Sequence, residues 1–398
     1  MQELFITSIH INKVRHLVNI DIALSENERK HLILTGKNGS GKTSLLEKMK
    51  EYVLSAQGEI IPLQKYESKD TLYLKISRND RIKPSTKDVT LTYSSEGDSG
   101  LALQFSNDLG DYNDYLFVYI STKRTELNRP ENGIERITIE DRNRIDNNVS
   151  KDFIKYILNL DYQRNGAIAD DNTILIGKLN AWFNNFQDAL REIYDSPELT
   201  LQYDRRNLVI NVEMPGRDRF GLHEQSDGYS AFLDILMELL MRMENEDGVV
   251  DYTQSAIVLI DEIETHLHVE LQKRALPFLT KMFPNAQFIV ATHSPFVISS
   301  IPNAVVYDLE TNRKLGDDLT QYSYSDIVEG YFDVSECSAD LQSDFDRYVE
   351  LRNKSSRTRE ENFETCKLFD RLSKIPGTSP LSTAFYKFER ERNNGKTK

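Results

Sequence analysis

His31-Leu32-Ile33-Leu34-Thr35-Gly36-Lys37-Asn38-Gly39-Ser40-Gly41-Lys42-Thr43-Ser44 is the stretch on which the fold turns. Residues 31–35 form a short apolar run that stops at a glycine, as a buried strand does. Residues 43–56 set Leu45, Leu46, Met49 and Val53 on one face, which predicts a helix. Between strand and helix, Gly36–Thr43 fits G-x-x-x-x-G-K-[ST]. Glycines there let backbone N–H groups wrap a phosphate without Cβ clashes, and the helix that follows aims its positive end at it. Asn38, Gly39, Ser40, Gly41, Lys42, Thr43 and Ser44 are therefore the candidate nucleotide-binding residues. Lys42 would reach the β and γ oxygens, and the Thr43 hydroxyl would ligate Mg²⁺. The bland alternative is a glycine-rich turn before an ordinary helix; the strand–loop–helix context weighs against it.

Working outward, residues 4–11 and 18–24 alternate like half-buried strands. Short strand-like runs between 57 and 118 predict an antiparallel section whose last strand leads into Lys123 and Arg124. A polar loop at 125–150, helices over roughly 151–194 around the single tryptophan Trp182, and a strand pair at about 199–214 follow. Residues 227–245 read as a long helix, 256–260 as an apolar strand, 267–282 as a helix and 288–290 as a strand. From 320 onward the chain is charged and mostly helical.

Two further strand ends carry chemistry. Ala256–Ile260 runs straight into Asp261-Glu262, and ligands collect at the carboxyl ends of parallel strands. Asp261 is placed to hold Mg²⁺ through water, and Glu262 to orient and polarise an attacking water. Phe288–Thr292 ends at His293-Ser294-Pro295, where an imidazole can contact a γ-phosphate; a capping or core histidine is the simpler alternative. Ahead of the 227–245 helix, Ser226, Asp227 and Gly228 form a second candidate anion site at a helix tip, although Ser226 or Asp227 would serve equally well as a plain N-cap.

The 398 residues carry 49 Lys+Arg against 63 Asp+Glu, a net charge of −14 that disfavours non-specific coating of nucleic acid. A 39% hydrophobic share supports a sizeable core and excludes wholesale disorder. Only two cysteines, Cys337 and Cys366, are present, which excludes a disulfide framework. No basic start or long apolar stretch marks Met1–Phe5, and no apolar run is long enough to span a bilayer, so a cytoplasmic protein without a membrane partner is expected. Arg124, Arg129, Arg136, Arg142 and Arg144 give the 123–144 loop a basic bias, a candidate DNA or partner surface, but Glu126, Glu131, Glu135, Glu140 and Asp141 blunt it; a solvated loop fits better.

The order phosphate loop, S-D-G-Y, I-D-E, T-H-S is that of ATP-binding-cassette ATPases. The set, with Asp261-Glu262-Ile263-Glu264-Thr265-His266-Leu267-His268 after the acidic strand, resembles the SMC, RecF and OLD-nuclease group. Ile263 stands where that group commonly has proline, and the leucine common before the signature serine is missing. Tyr322–Phe332 also resembles the ATPase components of bacterial anti-phage systems such as Septu, its retron-linked relatives and PARIS. The resemblance implies an α/β ABC-type P-loop ATPase head: mixed β lobe, parallel core sheet, helical insertion and helical C-terminal segment. It implies ATP and Mg²⁺ as ligands, with Lys42, Glu262 and His293 catalytic. Ser226, Asp227 and Gly228 would act in trans on a partner's nucleotide, and Glu264, His266 and His268 would line the seam of a homodimer or higher oligomer. Gln104 is a possible counterpart of the family's metal-contacting glutamine.

The expected domains are a β lobe with the P-loop half at 1–124, the insertion at 125–198, the remaining head at 199–310 and the charged C-terminal segment at 311–398. The expected role is an ATPase that scaffolds or gates a separately encoded nuclease or toxin in anti-phage defence. The alternatives are a RecF-like repair clamp on DNA and a nucleotide-controlled scaffold with negligible turnover.

Overall fold

The computed structural model of the chain describes residues 4–56, 62–63, 72–73, 88–92, 100–106, 115–123, 145, 148–244, 250–316, 318–332, 338–375 and 380–395. Arg124 and the arginines at 129–144 lie outside them, as does the acidic turn after the signature helix. Two compact units divide the chain at Gln321 and Tyr322.

In the first unit β1 (Ile6–Val14), β2 (Leu17–Ala23) and β3 (His31–Thr35) precede α1 (Lys42–Ala56). β4 (Pro62–Leu63) and β5 (Leu72–Tyr73) form a short pair, followed by β6 (Asp88–Thr92), β7 (Gly100–Phe105) and β8 (Leu116–Ile120). α2 (Phe153–Ala169) and α3 (Thr173–Tyr194) lead to β9 (Thr200–Asp204), β10 (Val209–Glu213) and β11 (Phe220–Gly221). After these come α4 (Asp227–Arg242), β12 (Ala256–Ile260), α5 (Val269–Met282), β13 (Ala286–Ala291), the single-turn α6 (Pro295–Ile298), β14 (Ala304–Asp308) and β15 (Arg313–Leu315).

The central sheet has the order β15-β14-β3-β13-β12-β8. β14, β3, β13, β12 and β8 are mutually parallel, and β15 closes one edge antiparallel. Their near-continuous apolar sequences follow from burial on both faces. An antiparallel sheet, β2-β1-β7-β6, forms the lobe, and its alternating pattern puts Ile9, Ile11, Ile20, Ile22, Leu101 and Leu103 into the core shared with α1. Two sequence expectations need correction. β8, read as the end of the antiparallel section, instead pairs in parallel with β12 in the central sheet. Residues 313–315 pair with β14, so the head extends past 310.

Two buried polar side chains tie these layers. Gln287 of β13 accepts from Ile6 N–H at 2.7 Å and donates to the carbonyls of Ile6 and Lys30 at 2.9 and 2.8 Å. It thereby satisfies lobe-edge backbone groups that burial would otherwise orphan. His31 Nδ1 accepts from Phe288 N–H at 3.1 Å; burial, with the nearby Arg29 charge, pulls the imidazole down to about 4. A neutral ring is therefore part of the β3–β13 seam.

In the second unit α7 (Tyr324–Phe332) precedes α8 (Ala339–Asn353), α9 (Arg359–Leu372) and α10 (Pro380–Gly395). Tyr348, Leu372, Leu381 and Phe385 make its small core. Thr358 and Glu361 form a capping box at the start of α9. Glu389 of α10 accepts from Tyr348 and Arg352 of α8, which explains how so charged a tail stays folded.

Candidate functional site

Because the five strands run in parallel, their carboxyl ends share one edge of the sheet. β3 delivers Gly36–Thr43 there, β12 delivers Asp261 and Glu262, β13 delivers Thr292 and His293, β14 delivers Asp308, and β8 delivers Ser121–Lys123. Gly36, Gly39 and Gly41 all take positive φ, and a Cβ on Gly41 would sit 2.9 Å from Leu17 of the lobe, so only glycine fits that turn. Lys42 is buried, its Nζ donating to the carbonyls of Gly36 at 2.8 Å and Lys37 at 3.2 Å. Burial lowers its pKa, against the opposing pull of Glu262, Glu264, Asp261 and Asp308. At the loop's tip Lys37 pairs with Glu310 at 2.8 Å.

Asp261 is buried, and its carboxylate is the meeting point of two distant hydroxyls. Thr43 Oγ1 donates to Oδ1 at 3.1 Å, and Thr122 Oγ1 donates to Oδ2 at 2.8 Å. Thr122 was missed in the sequence, where attention fell on the cations after it; no local signal marks it, because its partner is 139 residues away. Glu262 takes φ +46 and accepts from Thr265 Oγ1 at 3.2 Å. A left-handed backbone at a non-glycine residue is strained, and such strain gathers at functional turns. His293 is half-buried; burial and the Lys42 charge lower its pKa, while the neighbouring carboxylates oppose this.

In the segment expected at a subunit seam, one side chain also bonds within its own subunit. Glu264 accepts from the Thr292 hydroxyl at 2.7 Å and from the His293 backbone N–H. His266, at φ +67, and His268 are exposed. Among the described residues no group of three or more His, Cys, Asp or Glu is arranged to hold a metal ion. Ser226 occupies the N-cap of α4 in extended backbone, yet its hydroxyl makes no capping bond, so the plain N-cap reading does not account for it. Asp227 is exposed in the first turn. Gly228 is buried against the 266–268 segment, where a Cβ would meet the His266 carbonyl oxygen at 2.8 Å. Behind the tip, Tyr194 at the end of α3 stacks on Tyr229 with centroids 4.3 Å apart. Gln104 lies elsewhere: exposed on β7, its side chain accepts from Ser8, because strand alternation turns it to the outer face of the lobe.

A phosphate loop, an acidic strand end and a histidine strand end on one sheet edge define a P-loop head of the ABC type. The chain belongs to the family described as AAA domain, putative AbiEii toxin, Type IV TA system, whose model matches residues 32–299. It is 29% identical over 223 residues to Septu protein PtuA of Bacillus mycoides (strain KBAB4), covering 53% of this chain and 31% of that protein. It is 30% identical over 154 residues to the Retron Ec83 probable ATPase of Escherichia coli, covering 35% of this chain and 27% of that one. The chain thus spans under a third of the length of these relatives. Among solved structures it matches a Pyrococcus furiosus Smc head domain with TM-score 0.39 and 14% identity, over 80% of this chain and 97% of that one. No helix among the described residues is long and apolar enough to cross a membrane.

Proposed function

We propose that this chain binds ATP with Mg²⁺ at the sheet edge, hydrolyses it to ADP and phosphate, and uses the cycle to open and close an assembly of its own copies. The reading rests chiefly on Thr43 Oγ1 lying 3.1 Å from Asp261 Oδ1, beside Lys42. A hydroxyl and a carboxylate at that separation are the hard oxygen donors Mg²⁺ prefers, one from the loop and one from the acidic strand. Mg²⁺ held there would offset charge on the β and γ phosphates. Backbone N–H groups of Asn38–Thr43 and the α1 tip, with Ser44, bind the triphosphate, and Lys42 exchanges its loop carbonyls for phosphate oxygens. Glu262 takes the proton of the attacking water, and His293, neutral at pH 7, hydrogen-bonds at the γ-phosphate.

The uncommitted Ser226 hydroxyl and the α4 tip supply a second anion site, to be closed over the nucleotide of another copy. Loss of the bridging γ-phosphate on hydrolysis then makes assembly switchable. With Septu PtuA and a retron ATPase among its relatives, the switch is read as gating a separately encoded nuclease or toxin in anti-phage defence. The head is read as running through the strand at 313–315, with the helical unit from Tyr322 onward as the effector-facing or regulatory segment. Steady-state phosphate release tests the chemistry. Glu262→Gln is expected to bind ATP, turn over at least about tenfold more slowly and accumulate the closed assembly; unchanged turnover removes Glu262 from the role of base.

A further inference from the structure

We propose that Glu264 is a positioning residue for His293, clamping the histidine strand end from within its own subunit. The inference rests on the ATP-hydrolysing reading of the site and adds to it the group that fixes its histidine. The carboxylate uses both oxygens on one target: Oε1 accepts from the His293 N–H and Oε2 from the hydroxyl of Thr292, which is fully buried. Thr292 Oγ1 in turn accepts from Ser294 N–H at 3.0 Å. Glu264 thus holds Thr292 and His293 directly and Ser294 through the Thr292 hydroxyl.

A second clamp closes the same loop from the far side. Gln272 of α5 donates to the Leu267 carbonyl at 2.7 Å and accepts from the Ser294 hydroxyl at 2.7 Å. Ser294 Oγ also takes the Phe296 N–H at the start of α6. Residues 264–267 and 292–294 therefore move as one piece, with His293 carried on it. The backing of Gly228 by the His266 carbonyl brings the α4 tip onto that piece as well.

A turn of unsupported backbone would let the imidazole wander by more than catalysis tolerates. The experiment compares Glu264→Ala, Glu264→Gln, His293→Ala and the Glu264→Ala/His293→Ala double variant in the full chain, with thermal unfolding recorded for each. Glu264→Ala is expected to lower kcat about tenfold with ATP affinity within about twofold, and to lower it no further than about twofold in the His293→Ala background. Glu264→Gln, whose amide oxygen can still take the His293 N–H, is expected to keep most of the activity. Amide hydrogen exchange over 292–296 reads the clamp independently of turnover. It should speed up about tenfold in Glu264→Ala and return to the wild-type rate in Glu264→Gln. Full multiplicative losses in the double variant, or unchanged exchange at 292–296, overturn the proposal. A wild-type chain that releases no phosphate while the exchange result holds sinks the hydrolytic reading alone.

Discussion

The phosphate loop and the turn at Asp261–His268 follow β3 and β12, which flank β13 in the same parallel sheet, and both use residues with positive φ. The first places glycine at each such position, 36, 39 and 41. The second has none: Glu262 and His266 take φ +46 and +67 with full side chains. Each left-handed non-glycine residue costs about 1–2 kcal/mol. The phosphate loop is held mainly from within, Lys42 bonding to carbonyls five and six residues away, while Lys37 reaches out to Glu310. The acidic turn is held from outside, by Thr43, Thr122, Thr292 and Gln272 and by the close approach of Gly228. One loop carries its shape in its own sequence; the other has its shape imposed by the surrounding fold.

The largest effect should come from removing the self-holding element. Lys42→Ala is expected to weaken ATP binding on the order of a thousandfold, about 4 kcal/mol, because two charge-assisted phosphate contacts go. A titration with a fluorescent ATP analogue measures this; a loss below tenfold would mean the loop's backbone suffices without its lysine. Acid should come next and should separate the two loops. The folded His31 titrates at about 4, below the 6.5 of an unfolded histidine, so on acidification the unfolded chain takes up the proton first. Stability is expected to fall between pH 6.5 and 4 by about 3 kcal/mol from this group and then to level off. Hydrogen exchange should show β3 and the phosphate loop loosening before β12, whose apolar run has no titratable anchor. The smallest effect is at His266. His266→Gly relieves left-handed strain at an exposed position and is expected to change unfolding stability by less than about 1 kcal/mol. A larger loss in denaturant titration would show that the imidazole, not the fold around it, sets that turn.

These contrasts explain what could be read in advance. The phosphate loop, the apolar strands at 31–35, 256–260 and 288–290 and the helix after Gly228 are encoded by local periodicity and spacing, so they stood out without a fold. Thr122, Gln272 and Gln287 carry no local signal: each is an ordinary polar residue whose role comes at least in part from a partner on another element. Gln104 misled for the same reason, since its place in the chain says nothing about which face of β7 it occupies. The position of β8 in the central sheet was likewise hidden, because a short apolar strand reads the same in a parallel or an antiparallel neighbourhood.

Residue types and spacing alone supply the candidate chemistry: a glycine cradle with its lysine and threonine, two adjacent carboxylates and a histidine, each at the end of an apolar strand. The folded chain adds that these strand ends meet on one edge, that Asp261 accepts from two threonines, and that Glu264 bonds to the histidine strand. Local rules fix what a segment of a few residues can do, because its hydrogen bonds close within it. Partners contributed by different strands, 28 to 218 residues apart here, are chosen by how the sheet is assembled, and no short window along the chain contains that choice.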